Sequence, residues 1–262
     1  MNELKREQLK KWVNAFCGKI ENRDLEKVLN KRTQGVDAPL SHMIDDLKML
    51  TEEDWGLYAF SRDPLNGKFA LEQKLQYTKN AFACGRNIAK RIKQKYGDSC
   101  LEEIAKKRNV QVKTPDLPVG GDYVVFAQFE EPDQISVFMD GVRKVENLMQ
   151  QPEVRDSLEN INIYELLLAH EIFHSVEYQE RDQIYTKTEK IELWKKPFSN
   201  RSQILALSEM AGMAFAQEWM QISWSAYVLD VVLMYGYQPD AARELYEDIM
   251  ETVGKKKSLE EI

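Results

Sequence analysis

One stretch of the sequence constrains the fold more than any other. Residues 167–179 read LLLAHEIFHSVEY, an apolar run interrupted by two of the chain's three histidines and by acidic side chains. On a helix, side chains four positions apart lie on the same face, so His170 and His174 point in one direction and Glu171 lies one step round. Burying these polar groups without partners would be unfavourable by several kcal/mol. The stretch therefore predicts a buried helix whose two histidines share a partner.

The spacing H-E-x-x-H is the arrangement that a zinc site requires. The imidazole nitrogens of His170 and His174 can both approach one ion to about 2.0 Å. The carboxylate of Glu171 is offset from that point, where it can take a proton from zinc-bound water and pass it to a leaving amine. We therefore predict that His170 and His174 bind Zn²⁺ and that Glu171 activates the water.

A catalytic zinc site usually has three protein ligands, and the third is predicted to be Glu209. Its helical neighbours at three and four positions are apolar or small: Leu205, Ala206, Gly212 and Met213. A carboxylate without a partner would be unfavourable among them. Alternatives remain open at this point, because Glu218 or Asp230 could bind the metal instead, and a cation such as Arg201 could neutralise Glu209.

The remaining histidine and the cysteines offer no rival site. His42 lies far upstream, on a predicted amphipathic helix beside acidic residues, so we expect it on the surface and exclude a third histidine ligand. Cys17, Cys84 and Cys100 are an odd number at wide spacing, which indicates reduced thiols. No serine lies in a nucleophile-elbow pattern. Thiol or serine hydrolase chemistry is therefore disfavoured.

The pattern around the predicted zinc helix indicates an α+β chain that is mostly helical. Helical periodicity dominates the N-terminal part, and SRDPLNGK at 61–68 marks a boundary near residue 65. Residues 122–129, DYVVFAQF, and 134–139, QISVFM, are rich in β-branched and aromatic side chains and predict a hairpin in a small sheet of about three strands. We expect a helical N-terminal region, 1–65, and a second domain, 66–262.

Two helix starts can be predicted from capping patterns. Asn162 with Glu165 three residues later has the spacing of a helix cap, so the zinc helix should begin after Asn162 and end near Gln179. Ser99 and Glu102 have the same spacing and predict the start of a short helix.

Composition and charge exclude several classes of function. The chain has 36 Lys and Arg against 43 Asp and Glu, a formal net charge of -7, and its basic residues are scattered among acidic ones. Nucleic-acid binding is therefore not expected. No segment reaches the roughly 18 uninterrupted apolar residues of a membrane span, and the start MNELKREQLKKW has no apolar stretch after its charges. We expect a cytoplasmic protein without membrane contact, and no pattern indicates its oligomeric state.

The two halves of the predicted metal site together resemble the ImmA/IrrE-type metallopeptidases. In that family the zinc helix reads A-H-E-x-x-H and a later helix reads E-x-x-A-x-x-F-A, and this chain has LLLAHEIFH and SEMAGMAFAQEW. The register departs at Gly212, where the family has alanine. The upstream order of helix, strand, hairpin and helix is also similar, so the resemblance covers about residues 98–222.

The resemblance implies a zincin-like α+β fold with the small three-stranded sheet next to the H-E-x-x-H helix. It implies that His170, His174 and Glu209 bind zinc, that Glu171 is the general base, and that the substrate is a protein or peptide. In members of that family the substrate can be a transcriptional repressor. We therefore expect a zinc-dependent peptidase with a gluzincin-like ligand set.

Two other functions remain open. A regulatory or interaction protein could keep the zincin fold and turn over little substrate, although such a protein could dispense with Glu171. A non-peptidase zinc hydrolase would have a closed pocket for a small molecule in place of an extended groove.

Substrate contacts are less constrained by the sequence. An extended substrate could pair with an edge of the predicted sheet, and Tyr178, Tyr185 and Tyr227 are candidates for stabilising an oxyanion. The segment 179–202 is long, polar and punctuated by Pro197, so it is a candidate for a lid, with a surface connection of no further role as the alternative.

Overall fold

The structure is a computed structural model of the chain, and it describes residues 17–19, 39–116, 123–194 and 200–260. The described helices are α1 (Leu40–Lys48), α2 (Glu52–Ser61), α3 (Leu71–Tyr96), α4 (Leu101–Lys107), α5 (Met139–Leu148), α6 (Pro152–Ser157), α7 (Ile163–Gln179), α8 (Tyr185–Thr188), α9 (Leu205–Met220), α10 (Val228–Tyr235) and α11 (Pro239–Glu260), with a short 3-10 helix at Asn66–Lys68. The described strands are β1 (Cys17–Lys19), β2 (Gln111–Lys113), β3 (Tyr123–Val125), β4 (Ala127–Glu130), β5 (Gln134–Val137), β6 (Lys190–Trp194) and β7 (Asn200–Gln203).

A small mixed sheet lies against the helices. Its strand order is β2-β5-β4, with β2 parallel and β4 antiparallel to β5, and Phe129 lies opposite Ile135. Elsewhere, β1 pairs with β3, and β6 pairs with β7. The predicted α+β class, the helical majority and the hairpin formed by β4 and β5 are thus confirmed.

Helix α9 packs between α3 and α7, and this arrangement organises the core. A Cβ atom built on Gly85 of α3 would lie 2.0 Å from the backbone oxygen of Ala211, so glycine is what lets α3 and α9 approach so closely. Leu47 of α1 and Trp55 of α2 are buried in the same core. The predicted boundary near residue 65 lies between α2 and α3, and the division into two domains stays a prediction.

The capping predictions have opposite outcomes. The side chain of Asn162 accepts a hydrogen bond from the backbone N–H of Glu165 at 3.0 Å, and α7 ends at Gln179, as expected. The prediction for Ser99 is wrong, because Cys100 occupies the cap position of α4 and Ser99 Oγ instead accepts from Lys107 Nζ at 2.7 Å. The capping residue is therefore Cys100, whose side chain makes no capping hydrogen bond.

No helix within the described residues is long and apolar enough to cross a membrane. Residues 1–16 and 20–38 of the predicted N-terminal region lie outside the described part of the chain.

Candidate metal centre

Three side chains predicted as ligands converge between α7 and α9. The Nε2 atoms of His170 and His174 are 2.9 Å apart, and the Glu209 carboxylate lies 3.5 Å from the first and 3.8 Å from the second. Ligand atoms about 2.0–2.1 Å from a tetrahedral ion are separated by roughly 3.3 Å, and the three observed distances bracket that value. Two imidazoles and a carboxylate are a ligand set that zinc accepts, so this group could hold a metal ion.

Gly212 creates the space in which the His170 ring lies. A Cβ atom at Gly212 would be 2.8 Å from His170 Cε1 and 2.9 Å from Nδ1, closer than side-chain carbons pack. The preceding residue, Ala211, faces α3 on the other side. A residue larger than glycine at position 212 would therefore displace the His170 ring.

The other acids considered as third ligands lie elsewhere. Asp230 is buried on α10 and accepts hydrogen bonds from the hydroxyl of Tyr58 at 2.9 Å and from Arg62 at 3.0 Å. Glu218 lies further along α9 and is 3.9 Å from Lys90. Of the three acids, Glu209 is the one that the fold brings to the histidines.

Glu171 is buried beside this group, with 4% of its surface exposed. Burial raises the pKa of its carboxyl to about 7, and the Glu209 charge acts in the same direction. The charge of His174 and the backbone N–H of Phe129, on β4, lower the pKa of Glu171 but do not cancel the burial effect. A carboxyl whose pKa lies near neutrality can both accept and release a proton.

Strand β4 presents an open edge next to Glu171. The N–H of Phe138 donates to the carbonyl of Phe126 at 2.9 Å, and in an antiparallel pair the bonding direction alternates along the strand. The N–H and C=O of Phe129 therefore point away from β5. Of the strands that the structure describes, only β5 pairs with β4.

Glu177 is a functional candidate that the sequence reasoning missed. It is 2% exposed, and its carboxylate accepts hydrogen bonds from Thr186 Oγ1 at 2.5 Å and Ser208 Oγ at 2.7 Å. Lys187 Nζ lies at 2.9 Å and His174 Nδ1 at 3.5 Å. Burial alone would raise the pKa of Glu177, but the hydrogen bond with His174 and the charge of Lys187 outweigh it and lower the pKa to about 2. An acid three residues after His174 on an apolar helix was the available signal.

The pKa values of the two imidazoles are shifted in opposite directions. Burial lowers the pKa of His170 to about 4. Burial also lowers the pKa of His174, but its hydrogen bond with Glu177 and the charges of Glu209 and Glu171 prevail and raise it to about 9. Two positively charged rings with nitrogens 2.9 Å apart would repel each other strongly. The pair therefore favours a single positive charge held between the two rings.

The tyrosines proposed for the oxyanion lie in three different places. Tyr178 packs against Phe129, with ring centroids 6.0 Å apart, near the open edge of β4. Tyr185 lies on α8 and its hydroxyl accepts from Asn80 at 3.3 Å. Tyr227 is buried, its pKa is raised well above 10 by burial and by the Glu209 charge, and its hydroxyl has no hydrogen-bond partner within the described residues.

The segment 179–202 contains α8 and most of the hairpin formed by β6 and β7. Arg201 is exposed on β7, and Pro197 lies outside the described residues. The sequence predicted neither the short helix nor the hairpin, and the role of a lid stays a prediction.

Among the described residues, none of those set aside by the sequence reasoning belongs to the cluster of His170, His174 and Glu209, although burial and the nearby Glu177 charge raise the pKa of the Cys84 thiol. His42 is exposed on α1, which confirms its predicted surface position. Cys84 is half-buried and Cys100 is exposed, and both are free thiols, while the side chain of Cys17 is outside the described residues.

Comparison of the chain with known protein families, curated proteins and solved structures gives no match.

Proposed function

We propose that this protein is a zinc-dependent peptidase of the ImmA/IrrE type with a zincin-like fold. The observation that carries the proposal is the convergence of His170, His174 and Glu209 beside the buried carboxyl of Glu171. A ligand set of two histidines and one glutamate, with an acid that is next to the site but outside the set, suits hydrolysis of a carbonyl compound. The order of β2, the hairpin, α7 and α9 is consistent with the same family.

In the proposed reaction, different residues would bind the metal ion and transfer the proton. His170, His174 and Glu209 would hold the ion, which when bound supplies a Lewis acid and lowers the pKa of water. Glu171 would take a proton from the attacking water as its oxygen bonds to the scissile carbonyl carbon. It would then deliver that proton to the nitrogen of the leaving amine as the C–N bond breaks.

The open edge of β4 supports a peptide as substrate. The outward C=O of Phe129 is positioned to accept a hydrogen bond from the backbone of an extended chain. Because the N–H of Phe129 also interacts with Glu171, a peptide bound along this edge would lie next to the general base.

Metal content tests the ligand set. We expect about one zinc per chain in the wild type after dialysis against metal-free buffer, and loss of zinc in both His174→Ala and Glu209→Ala. The measurement is elemental analysis of purified protein. If the wild type stays free of zinc after reconstitution, the proposal is wrong.

Hydrolysis tests the general base. Glu171→Gln should keep zinc but cleave peptides about 10²–10⁴-fold more slowly, measured by mass spectrometry of new termini in a mixture of unstructured peptides. Glu165→Gln, on the first turn of the same helix, is the control and should behave like the wild type. Equal cleavage by wild type and Glu171→Gln would exclude Glu171 as the base. Zinc binding without cleavage by the wild type would favour the regulatory alternative.

A further inference from the structure

We infer that Glu177 is a positioning residue that fixes the ring of His174 for metal binding. The inference rests on the metal site of the proposed function, but not on the reaction catalysed there. Nδ1 of His174 faces Glu177 Oε2 at 3.5 Å, while Nε2 of the same ring faces His170 and Glu209. One side of the imidazole thus belongs to the candidate metal centre and the other to Glu177.

The Glu177 carboxylate is itself held from several directions. Thr186 and Lys187 approach it from α8, and Ser208 approaches it from α9, one residue before Glu209. Together with α7, which carries Glu177, three elements therefore determine the position of one carboxylate. A side chain with this many donors cannot rotate without breaking charge-assisted hydrogen bonds.

This arrangement selects one form of the His174 ring. A carboxylate facing Nδ1 favours the tautomer with the proton on Nδ1, because that N–H can donate to it. The lone pair is then on Nε2, which points at the ligand cluster. A carboxylate partner of this kind also makes the imidazole a stronger metal ligand, because it stabilises the positive charge that metal binding induces on the ring.

Ser208 links this arrangement to the third ligand. Its hydroxyl donates to Glu177 Oε2 at 2.7 Å, and its oxygen lies 3.4 Å from His174 Nδ1. Since Ser208 precedes Glu209 on α9, the same contact sets the distance between α9 and the His174 ring. Glu177 thereby orients one ligand directly and restrains the helix that carries another.

The test measures metal affinity of the full-length protein. We expect Glu177→Gln to raise the zinc dissociation constant roughly 10–100-fold, measured at pH 7.5 by competition with a chromophoric chelator. Glu165→Gln, a glutamate on the same helix that does not contact His174, is the matched control and should bind zinc like the wild type. Circular dichroism of each metal-free protein shows whether the variants are folded.

Ser208→Ala keeps the proposal testable if Glu177→Gln does not fold. It leaves the carboxylate in place and removes one of its donors, so we expect a smaller, several-fold loss of zinc affinity. We also expect both variants to shift the visible absorption bands of bound Co²⁺, because those bands report ligand orientation, which a change in fold stability alone would not move.

The outcomes separate this inference from the proposed function. Wild-type zinc affinity and an unchanged Co²⁺ spectrum in both folded variants would overturn the role of Glu177 and leave the peptidase untouched. Weakened zinc binding in the variants of a protein that cleaves no peptide would support Glu177 and refute the peptidase. A wild type that binds no metal would overturn both.

Discussion

Glu171 and Glu177 lie six residues apart on α7, and they are buried to the same extent with opposite consequences. Glu171 is 4% exposed and Glu177 is 2% exposed. The pKa of Glu171 is raised to about 7, whereas that of Glu177 is lowered to about 2. Burial acts in the same direction on both carboxyls and raises both pKa values, so the opposite outcomes come from their partners. Glu177 has two hydroxyls, an ammonium group and an imidazole, while Glu171 has His174 and one backbone N–H.

The comparison shows how one helix provides two kinds of acid. A carboxylate that is surrounded by donors stays ionised and holds its neighbours in place, which suits a positioning residue. A buried carboxylate with few donors has a pKa near neutral pH, which suits a general base. The chemistry of each residue is therefore decided by the elements packed against it, α8 and α9 for Glu177 and β4 for Glu171.

The largest expected effect comes from Glu177→Gln. The substitution removes the carboxylate charge that His174 and Lys187 stabilise, so we expect the free energy of unfolding of the metal-free protein to fall by about 3 kcal/mol at pH 7. Because the folded pKa of Glu177 lies below the usual 4.5, its stabilisation is present above pH 4.5 and is lost as pH falls towards about 2. Urea unfolding at several pH values should show wild type and variant converging over that acid range.

A constant difference between the two proteins from neutral pH down to the acid limit would contradict this account. It would mean that the Glu177 carboxylate and its amide replacement make equivalent contacts.

Glu171→Gln should change the free energy of unfolding in the opposite direction. Its folded pKa of about 7 lies above the usual 4.5, so the stabilising contribution is complete below pH 4.5 and is lost as pH rises through about 7. The amide carries no charge, so in a chelating buffer at pH 8 we expect the variant to be more stable than the wild type by about 2–3 kcal/mol. At pH 4.5 the two should unfold alike. A variant less stable than the wild type at pH 8 would contradict the claim that the charges of Glu171 and Glu177 have opposite effects on stability.

Much of the site could be predicted because the positions of its residues follow from short spacings in the sequence. The positions of His170, Glu171 and His174 on one helix follow from helical periodicity, and the Asn162 cap follows from a short motif. Glu209 could be proposed because an acid among apolar neighbours needs a partner. The hairpin of β4 and β5 was visible in the β-branched and aromatic residues of its strands.

What could not be predicted depends on contacts distant in sequence. The partners of Glu177 come from α8 and α9, so its lowered pKa depends on tertiary packing that spacing on α7 does not encode. The cap of α4 lies at Cys100, and Ser99 instead accepts a hydrogen bond from Lys107, a residue eight positions further along the chain. Gly212 looked like a departure from a family pattern, and only the His170 ring beside it shows why a larger residue does not fit.

Gly212→Ala tests whether metal binding depends on the close approach of α9 to the His170 ring on α7. The new Cβ would meet His170 Cε1 at 2.8 Å, so the ring or the helix must move, at about 1–3 kcal/mol of stability. We expect zinc affinity to fall at least about 10-fold, which corresponds to about 1.4 kcal/mol. Gly254→Ala is the control, because a Cβ there meets nothing within 4 Å. Equal behaviour of the two alanine variants would show that the ring tolerates displacement.

The smallest expected effect comes from Thr186→Val, which removes one donor from Glu177 and keeps the shape of the side chain. Thr186 Oγ1 donates to Glu177 Oε1 at 2.5 Å, and hydrogen bonds to charged groups contribute about 1.5–3 kcal/mol, so we expect a loss near the lower end. Thr188→Val is the matched control on the same helix, because the Thr188 hydroxyl donates to the backbone of Ile184 and not to Glu177. The pKa of Glu177 should rise in Thr186→Val alone, measured by NMR titration of the metal-free protein. If both variants leave that pKa unchanged, the hydroxyl donors do not explain why Glu177 and Glu171 differ, and the hydrogen bond with His174 and the charge of Lys187 must account for it.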